Sequence, residues 1–366
     1  MIKIMIAPNR YIQGPRVLKE TGKYIAHLGS KVFFIAGQTA LSTIQDQVSA
    51  SLKGHAIEYQ FEAFTGECTR ASAAQLSDKA LAFGADIVAG VGGGRAIDTA
   101  KAVSHELGSA LVIIPTVASN DAPCSALSVQ HTEDHKLDRF LILKRNPDVV
   151  LVDSQVIAEA PTRYFVAGMG DALATWFEAF TCTKSGANNL PGGVTTAAAL
   201  NLARLCYDTL MEYGVMAKLA VDQDAVTPAV EVVIEANILL SGLGFESSGL
   251  AAAHGIHEGV LALEGTEGAL HGEMVAFGTI VQLVMEDYSK EEIDRVINFC
   301  KAVGLPVTLK ELGVADTSPK NLMKAAAVAC MEGLTTHNSY FEINPELVLG
   351  AIIGANALGE ASLKRS

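Results

Sequence analysis

The sequence predicts an α/β domain over residues 1–160 followed by an all-α domain over residues 161–366. Three observations carry that expectation. The chain has 366 residues, more than the roughly 250 to 300 at which a single hydrophobic core stops growing. From the start to about residue 153, short runs rich in β-branched residues alternate with amphipathic stretches, the pattern of a parallel sheet covered by helices. Past Pro161 the alternation stops and long helical periodicities take over.

Taken in order, the clearest strands are KVFFIAG (Lys31 to Gly37), DIVAGVGG (Asp86 to Gly93), ALVIIPT (Ala110 to Thr116) and DVVLVD (Asp148 to Asp153). Their nearly continuous apolar character implies burial on both faces, and in such sheets ligands bind beyond the carboxyl ends of the strands. The second of these runs continues as Gly92-Gly93-Gly94-Arg95-Ala96-Ile97-Asp98, a glycine turn entering a helix. Three glycines remove every side chain where a pyrophosphate would approach, and the helix amides would face it. The run is not GxGxxG, because Arg95 stands at the last glycine position, and a tight turn alone would also explain it. After the third strand comes Pro115-Thr116-Val117-Ala118-Ser119-Asn120-Asp121-Ala122-Pro123-Cys124-Ser125. Thr116, Ser119 and Ser125 offer hydroxyls to a nucleotide and Asp121 an acceptor for a substrate hydroxyl, although Asn-Asp-Ala-Pro is also ordinary turn chemistry.

The second half reads as helices such as Val194 to Gly214 and Pro228 to Gly242. Between Pro161 and Ile280 stand four cationic residues, Arg163, Lys184, Arg204 and Lys218, against thirteen acids. Phosphorylated or carboxylated ligands require such cations, so a neutral, hydroxyl-bearing substrate fits better. In Gly168-Met169-Gly170-Asp171 the aspartate reads, on local pattern, as a helix cap. Further on, His254 and His257 are three apart on one helical face, and Ala251 to Ala253 let another backbone approach. His271 opens a second segment beyond the loop Glu264 to Gly268. The stretch reads as half of a metal site, although it contains neither HExxH nor CxxC.

A net charge of −13, spread along the chain, argues against nucleic acid or an anionic membrane surface as a partner. No run approaches the roughly 18 uncharged residues of a membrane span, and the start lacks signal-peptide features, so a cytoplasmic protein is expected. The six cysteines lack paired spacing and are expected to be reduced thiols.

GVGGGRAIDTAK, PTVASNDAPCSALSV, GDALATWFEA, GFESSGLAAAHGIHEGV and HGEMVAFGT, in that order, resemble the glycerol dehydrogenases, the zinc branch of the iron-containing alcohol dehydrogenase family. The resemblance covers nearly the whole chain. It implies a dehydroquinate synthase-like fold, with an N-terminal dinucleotide-binding α/β domain, an all-α C-terminal domain and a catalytic metal in the cleft between them. Carried over by motif, Asp171, His254 and His271 would be the zinc ligands and, with Asp121, the catalytic and substrate-binding set. Gly37, Gly92, Gly93, Gly94, Arg95, Asp98, Thr116, Ser119, Ser125, Leu127 and His131 would lie along the nicotinamide cofactor. His257 has no ligand role, and Thr175 stands where the iron-using relatives have a histidine, which leaves three protein ligands and an open position.

Two departures follow from the comparison with that pattern. Gly37 replaces the acid that binds the adenosine ribose in NAD-using relatives, so NADP is not excluded as the cofactor. His131 replaces a tyrosine common beside the nicotinamide. The expected activity is zinc-dependent hydride transfer from C2 of glycerol, or a similar vicinal diol, to NAD, giving dihydroxyacetone, in a homo-oligomer. The alternatives are a related NADP-using polyol dehydrogenase and a dehydroquinate synthase-like lyase; the lyase is disfavoured by the scarcity of cations in the second half.

Overall fold

The computed structural model describes residues 1–134 and 136–364. Its strands are β1 (Tyr11–Gly14), β2 (Lys31–Gly37), β3 (Glu58–Phe64), β4 (Ile87–Gly92), β5 (Ala110–Pro115), β6 (Leu127–His131), β7 (Leu137–Ile142) and β8 (Val149–Asp153). Between them run α1 (Thr21–Ile25), α2 (Gln38–Gly54), α3 (Arg70–Phe83) and α4 (Gly94–Leu107). After β8 come α5 (Ser154–Ala158), α6 (Thr162–Ser185), α7 (Ala197–Val221), α8 (Pro228–Glu235), a π turn (Ala236–Leu240) and α9 (Ser241–Ser248). The chain closes with α10 (Ala252–Leu261), α11 (His271–Met285), α12 (Lys290–Val303), α13 (Pro319–Ala329) and α14 (Pro345–Leu363).

The chain divides into two compact units, and each draws on the other's half of the sequence. The α/β unit comprises Ile6–Thr162 and Ala220–Gly242; the helical unit comprises Met1–Met5, Arg163–Leu219 and Leu243–Ser366. Polar contacts account for both exchanges. In the α/β unit Glu231 accepts from Gln13 Nε2 at 2.6 Å and from Ser154 Oγ at 2.5 Å. In the helical unit Val194 donates to Ile2 O at 2.8 Å, and Asn189 Nδ2 donates to Ile4 O at 2.8 Å.

The α/β unit has the expected parallel sheet, paired in the order β1–β8–β5–β4–β2–β3. Val32, Phe34, Ala36, Ala89, Val91, Val112 and Ile114 form one core with Ile44, Val48 and Leu52 of α2, all buried. On the opposite face α4 lies against Gly90, where a Cβ would come 2.7 Å from the Ala100 Cβ. The chain turns outward from β2 to the edge strand β3 and inward from β4 to β5, so the topological switch falls between the carboxyl ends of β2 and β4. Strands β6 and β7 form a separate antiparallel ribbon.

Helix α6 begins at Thr162, so Asp171 lies inside the helix and does not cap it. The glycines around it serve a helix crossing. A Cβ at Gly170 would lie 2.2 Å from the Gly272 carbonyl oxygen, and one at Gly272 would lie 1.8 Å from that of Ala167. Helices α10 and α11 approach similarly, since a Cβ at Gly278 would lie 2.4 Å from Ala253 O. Fully buried Ala174, Ala253 and Val275 fill the centre. Two stretches, Pro228–Ser248 and Pro345–Leu363, are long and apolar enough to cross a membrane by composition, although glutamates break both and neither holds 18 uncharged residues in a row. Glu231 and Glu235 interrupt the first, most of which is buried within the protein, as in core helices generally.

Candidate functional site

In the helical unit the crossing of α6 and α11 at Gly170 and Gly272 sets Asp171 and His271 side by side, and α10 adds His254. His271 Nε2 lies 3.1 Å and His254 Nε2 3.4 Å from Asp171 Oδ1, and one donor atom from each residue falls within 4.8 Å of the others. Tetrahedral zinc with bonds of about 2.0 to 2.2 Å requires ligands about 3.4 Å apart, so the donor set fits one ion. Asp171 is 1% exposed while the His271 side chain is 40% exposed, so the cluster opens to solvent at His271.

Both imidazoles are oriented from behind. Glu178, fully buried two turns after Asp171 on α6, accepts His254 Nδ1–H through Oε2 at 2.7 Å. Its Oε1 accepts the backbone N–H groups of Ala251 at 2.9 Å and His254 at 3.0 Å. Because a carboxylate only accepts, His254 carries a proton on Nδ1, which leaves Nε2, the nitrogen facing Asp171, as the atom that a bound cation would take. On the other side His271 Nδ1 lies 3.2 Å from His257 Nε2, and His257 Nδ1 lies 3.6 Å from Glu258 Oε1. Burial, with the neighbouring His271, pushes His257 down to about 4, so it is neutral at pH 7. With its Nδ1 toward Glu258, its Nε2 can accept from His271 Nδ1–H, and Nε2 is then the nitrogen of His271 that a bound cation would take.

The electrostatics match this arrangement. Burial alone would raise the Asp171 carboxyl, but His271 and His254 outweigh it and hold it well below the usual range. Burial likewise opposes protonation of His254, yet Glu178 and Asp171 overcome it and raise that imidazole well above its ordinary value. An excess of negative charge around two imidazoles is an environment that accepts a cation. Sequence reasoning assigned no role to Glu178; its seven-residue spacing from Asp171 was the available signal. Thr175, one turn after Asp171, is buried, and among the described residues the donor set has three members.

In the α/β unit Gly37 and Gly92 meet at the switch point, where a Cβ on Gly92 would lie 3.7 Å from Gly37 N. Gly92 has φ 131, a conformation that L side chains rarely adopt. Helix α4 starts at Gly94 with no side-chain cap, so its first amides keep the capacity to bind an anion. Thr116 adjoins this turn, donating its N–H to Gly92 O at 3.2 Å, and half-buried Ser119 and Asp121 follow in the same loop. Arg95 is exposed and paired with Glu67 at 2.9 Å.

Of the remaining expected cofactor contacts, Asp98 and Ser125 are buried. Fully buried Lys101 donates to Ala122 O at 2.6 Å, Ser125 Oγ at 3.0 Å and Leu127 O at 2.6 Å. Thus Ser125 holds the loop to α4, and Leu127 opens β6. The Asp98 carboxylate faces Lys101 at 3.8 Å; burial raises it to about 6, with Lys101 and the Val129 N–H partly opposing. His131 ends β6, its N–H donating to Cys68 O at 2.8 Å and its Nδ1 buried with no hydrogen-bond partner among the described residues.

Comparison with known proteins agrees with this architecture. Residues 8–154 match the family model described as iron-containing alcohol dehydrogenase. Over the whole of both chains the sequence is 46% identical to the glycerol dehydrogenase of Citrobacter freundii. It is 43% identical to the glycolaldehyde reductase of Halobacterium salinarum, over 98% of each chain. The crystal structure of glycerol dehydrogenase from Schizosaccharomyces pombe superposes with a TM-score of 0.94 at 33% identity, covering 100% of this chain and 93% of that one. The chain therefore belongs to the iron-containing alcohol dehydrogenase family, alongside its glycerol dehydrogenases, and is an alcohol dehydrogenase oxidoreductase.

Proposed function

We propose that the protein is a zinc- and nicotinamide-dependent dehydrogenase of glycerol or a similar vicinal diol, taking hydride from C2 and yielding dihydroxyacetone. The observation that supports it most is the convergence of Asp171, His254 and His271, three donors with the hard-and-borderline chemistry that suits zinc and with a position left for substrate. When bound, zinc would supply Lewis acidity to the alcohol oxygen, and the nicotinamide would accept the hydride.

The chain's own residues supply the rest. Glu178 keeps the His254 proton on Nδ1, and His257 accepts the Nδ1 proton of His271, so both Nε2 atoms point inward. Asp121 receives a neighbouring substrate hydroxyl. The turn Gly92–Gly94 and the start of α4 receive the pyrophosphate of the cofactor, with Arg95 beside it and Thr116 and Ser119 along the nucleotide. Asp98, Ser125, Leu127 and His131 shape that side of the site through Lys101 and the β6 ribbon. Gly37 presents no carboxylate to an adenosine ribose, so NAD is proposed with NADP as a competing cofactor. A cytoplasmic homo-oligomer acting on a small neutral polyol, with neither nucleic acid nor membrane as partner, completes the reading.

Incubation with glycerol and NAD, followed by absorbance of the reduced nicotinamide, tests the activity directly. Exhaustive chelation should abolish the rate and added zinc restore it; full activity in the chelated protein would refute the metal's role. A second reading, reduction of a small hydroxyaldehyde, is favoured by the 43% identity to a glycolaldehyde reductase, and glycolaldehyde with reduced cofactor tests it.

A further inference from the structure

We propose that Ser241 is a positioning residue for substrate recognition: its hydroxyl fixes the Asp121 carboxylate in the orientation that receives the second hydroxyl of a vicinal diol. The inference rests on the role given to Asp121 above. Ser241 is fully buried, and its Oγ donates to Asp121 Oδ2 at 2.7 Å. Asp121 itself has φ −96 and ψ 5, in the sparsely allowed bridge region where active-site residues often lie. Its terminal torsion is of the broad, weakly restricted type, so without a partner the carboxylate would present its lone pairs over a wide arc.

The surrounding contacts are built to hold this one in place. The π turn Ala236–Leu240 precedes Ser241, and Asn237 within it donates from Nδ2 to Ala118 O at 3.1 Å. The next residue, Gly242, permits the approach: a Cβ there would lie 2.9 Å from the Cys124 Cβ and 3.1 Å from Asp121 O. From below, Lys101 grips Ala122 O, and Asn146 Nδ2 donates to Cys124 O at 3.0 Å. The loop is thus fixed on both sides of Asp121, and Ser241 adds a side-chain bond to the carboxylate itself. A site built to hydrogen-bond a substrate hydroxyl discriminates strongly against an analogue that lacks it. Ser241 therefore acts on the preference for diols over simple alcohols.

The test is the ratio of kcat/KM for propane-1,2-diol to that for propan-2-ol, measured on the zinc-loaded full chain with NAD. Because both substrates see the same preparation, partial loss of folded protein or of metal cancels in the ratio. Asp121→Asn should lower it, and Ser241→Ala should lower it about tenfold, the size a lost hydrogen bond to a carboxylate produces. Ser241→Thr keeps the hydroxyl and adds a methyl group, so it should retain more of the diol preference than alanine does, even if less stable. A wild-type ratio in Ser241→Ala, with the ratio lost in Asp121→Asn, overturns the role of Ser241 and leaves that of Asp121 standing. Threonine no better than alanine makes Ser241 a packing residue and overturns the proposal as well. An unchanged ratio in Asp121→Asn removes the role of both residues.

Discussion

Replacing Glu178 by glutamine changes charge and hydrogen-bonding capacity while leaving shape almost untouched. Glu178 Oε1 accepts two backbone N–H groups, and Oε2 accepts His254 Nδ1–H. In the variant the amide oxygen must stay with the two backbone donors; the flipped amide would set N–H against N–H and leave buried donors unsatisfied at about 1 to 3 kcal/mol each. The amide NH2 then faces His254 Nδ1, which has to accept. The imidazole proton moves to Nε2, the atom 3.4 Å from Asp171 Oδ1 that a metal would use. Loss of such an outer carboxylate typically weakens metal binding about 10- to 100-fold, or roughly 1.4 to 2.7 kcal/mol. Competition between the metal-free protein and a chromogenic chelator for zinc reads this directly, with thermal unfolding of the metal-free protein as the control for folding. A folded Glu178→Gln protein with wild-type zinc affinity would show that His254 is not oriented from behind, and the tautomer argument would fail.

Three further outcomes are expected. Gly272→Ala inserts a methyl group where the Ala167 carbonyl oxygen already stands, and should destabilise by about 1 to 3 kcal/mol or more and lower zinc content, both read from unfolding curves and metal analysis; wild-type values for both would contradict the crossing described. Gly37→Asp is compatible with the backbone, φ −57 and ψ 144, and meets only the Ala40 Cβ at 3.9 Å. It should reduce kcat/KM with NADP at least about tenfold relative to NAD, since unit charges about 4 Å apart repel by about 1 to 4 kcal/mol between water and a protein surface; equal losses with both cofactors would place the adenosine ribose elsewhere. Finally, five of the six cysteines are buried and Cys330 is half-buried. Burial pushes the thiols of Cys68 and Cys300 up to about 11 and about 12. Iodoacetamide at pH 8 should therefore modify only Cys330 in the native protein and all six thiols in denaturant, counted by mass spectrometry.

The central strands were legible because burial on both faces demands an unbroken apolar run, and KVFFIAG matches β2 end to end. Edge strand β3 escapes that signal: EYQFEAF is half exposed and alternates. His254 and His257 were legible from helical spacing and His271 from its place across a short loop, but the setting of Asp171 was not. Glycine before an aspartate usually marks a helix entry, whereas here it answers a backbone on another helix, a long-range contact with no local trace. The same limit hides Lys101 and Glu178. Each looks in sequence like a solvated surface charge, and only the fold shows each enclosed and hydrogen-bonded. The lysine that grips Ser125 is hidden in the same way, because nothing nearby in the chain announces it.

The interleaving of the two units bears on how the protein is made. A ribosome that has released residues up to Thr162 has delivered every strand of the sheet, yet the segment carrying Glu231 and Ser241 is still to come. At about 5 to 20 residues per second the stretch ending at Gly242 takes roughly 4 to 16 seconds to appear. During that interval Gln13 and Ser154 await their partner, and Met1–Met5 wait likewise for Val194. Synthesis therefore completes the α/β unit only at Gly242, after α6 and α7 of the helical unit have emerged, and a gene cut at the apparent boundary would encode an α/β piece without its closing strap.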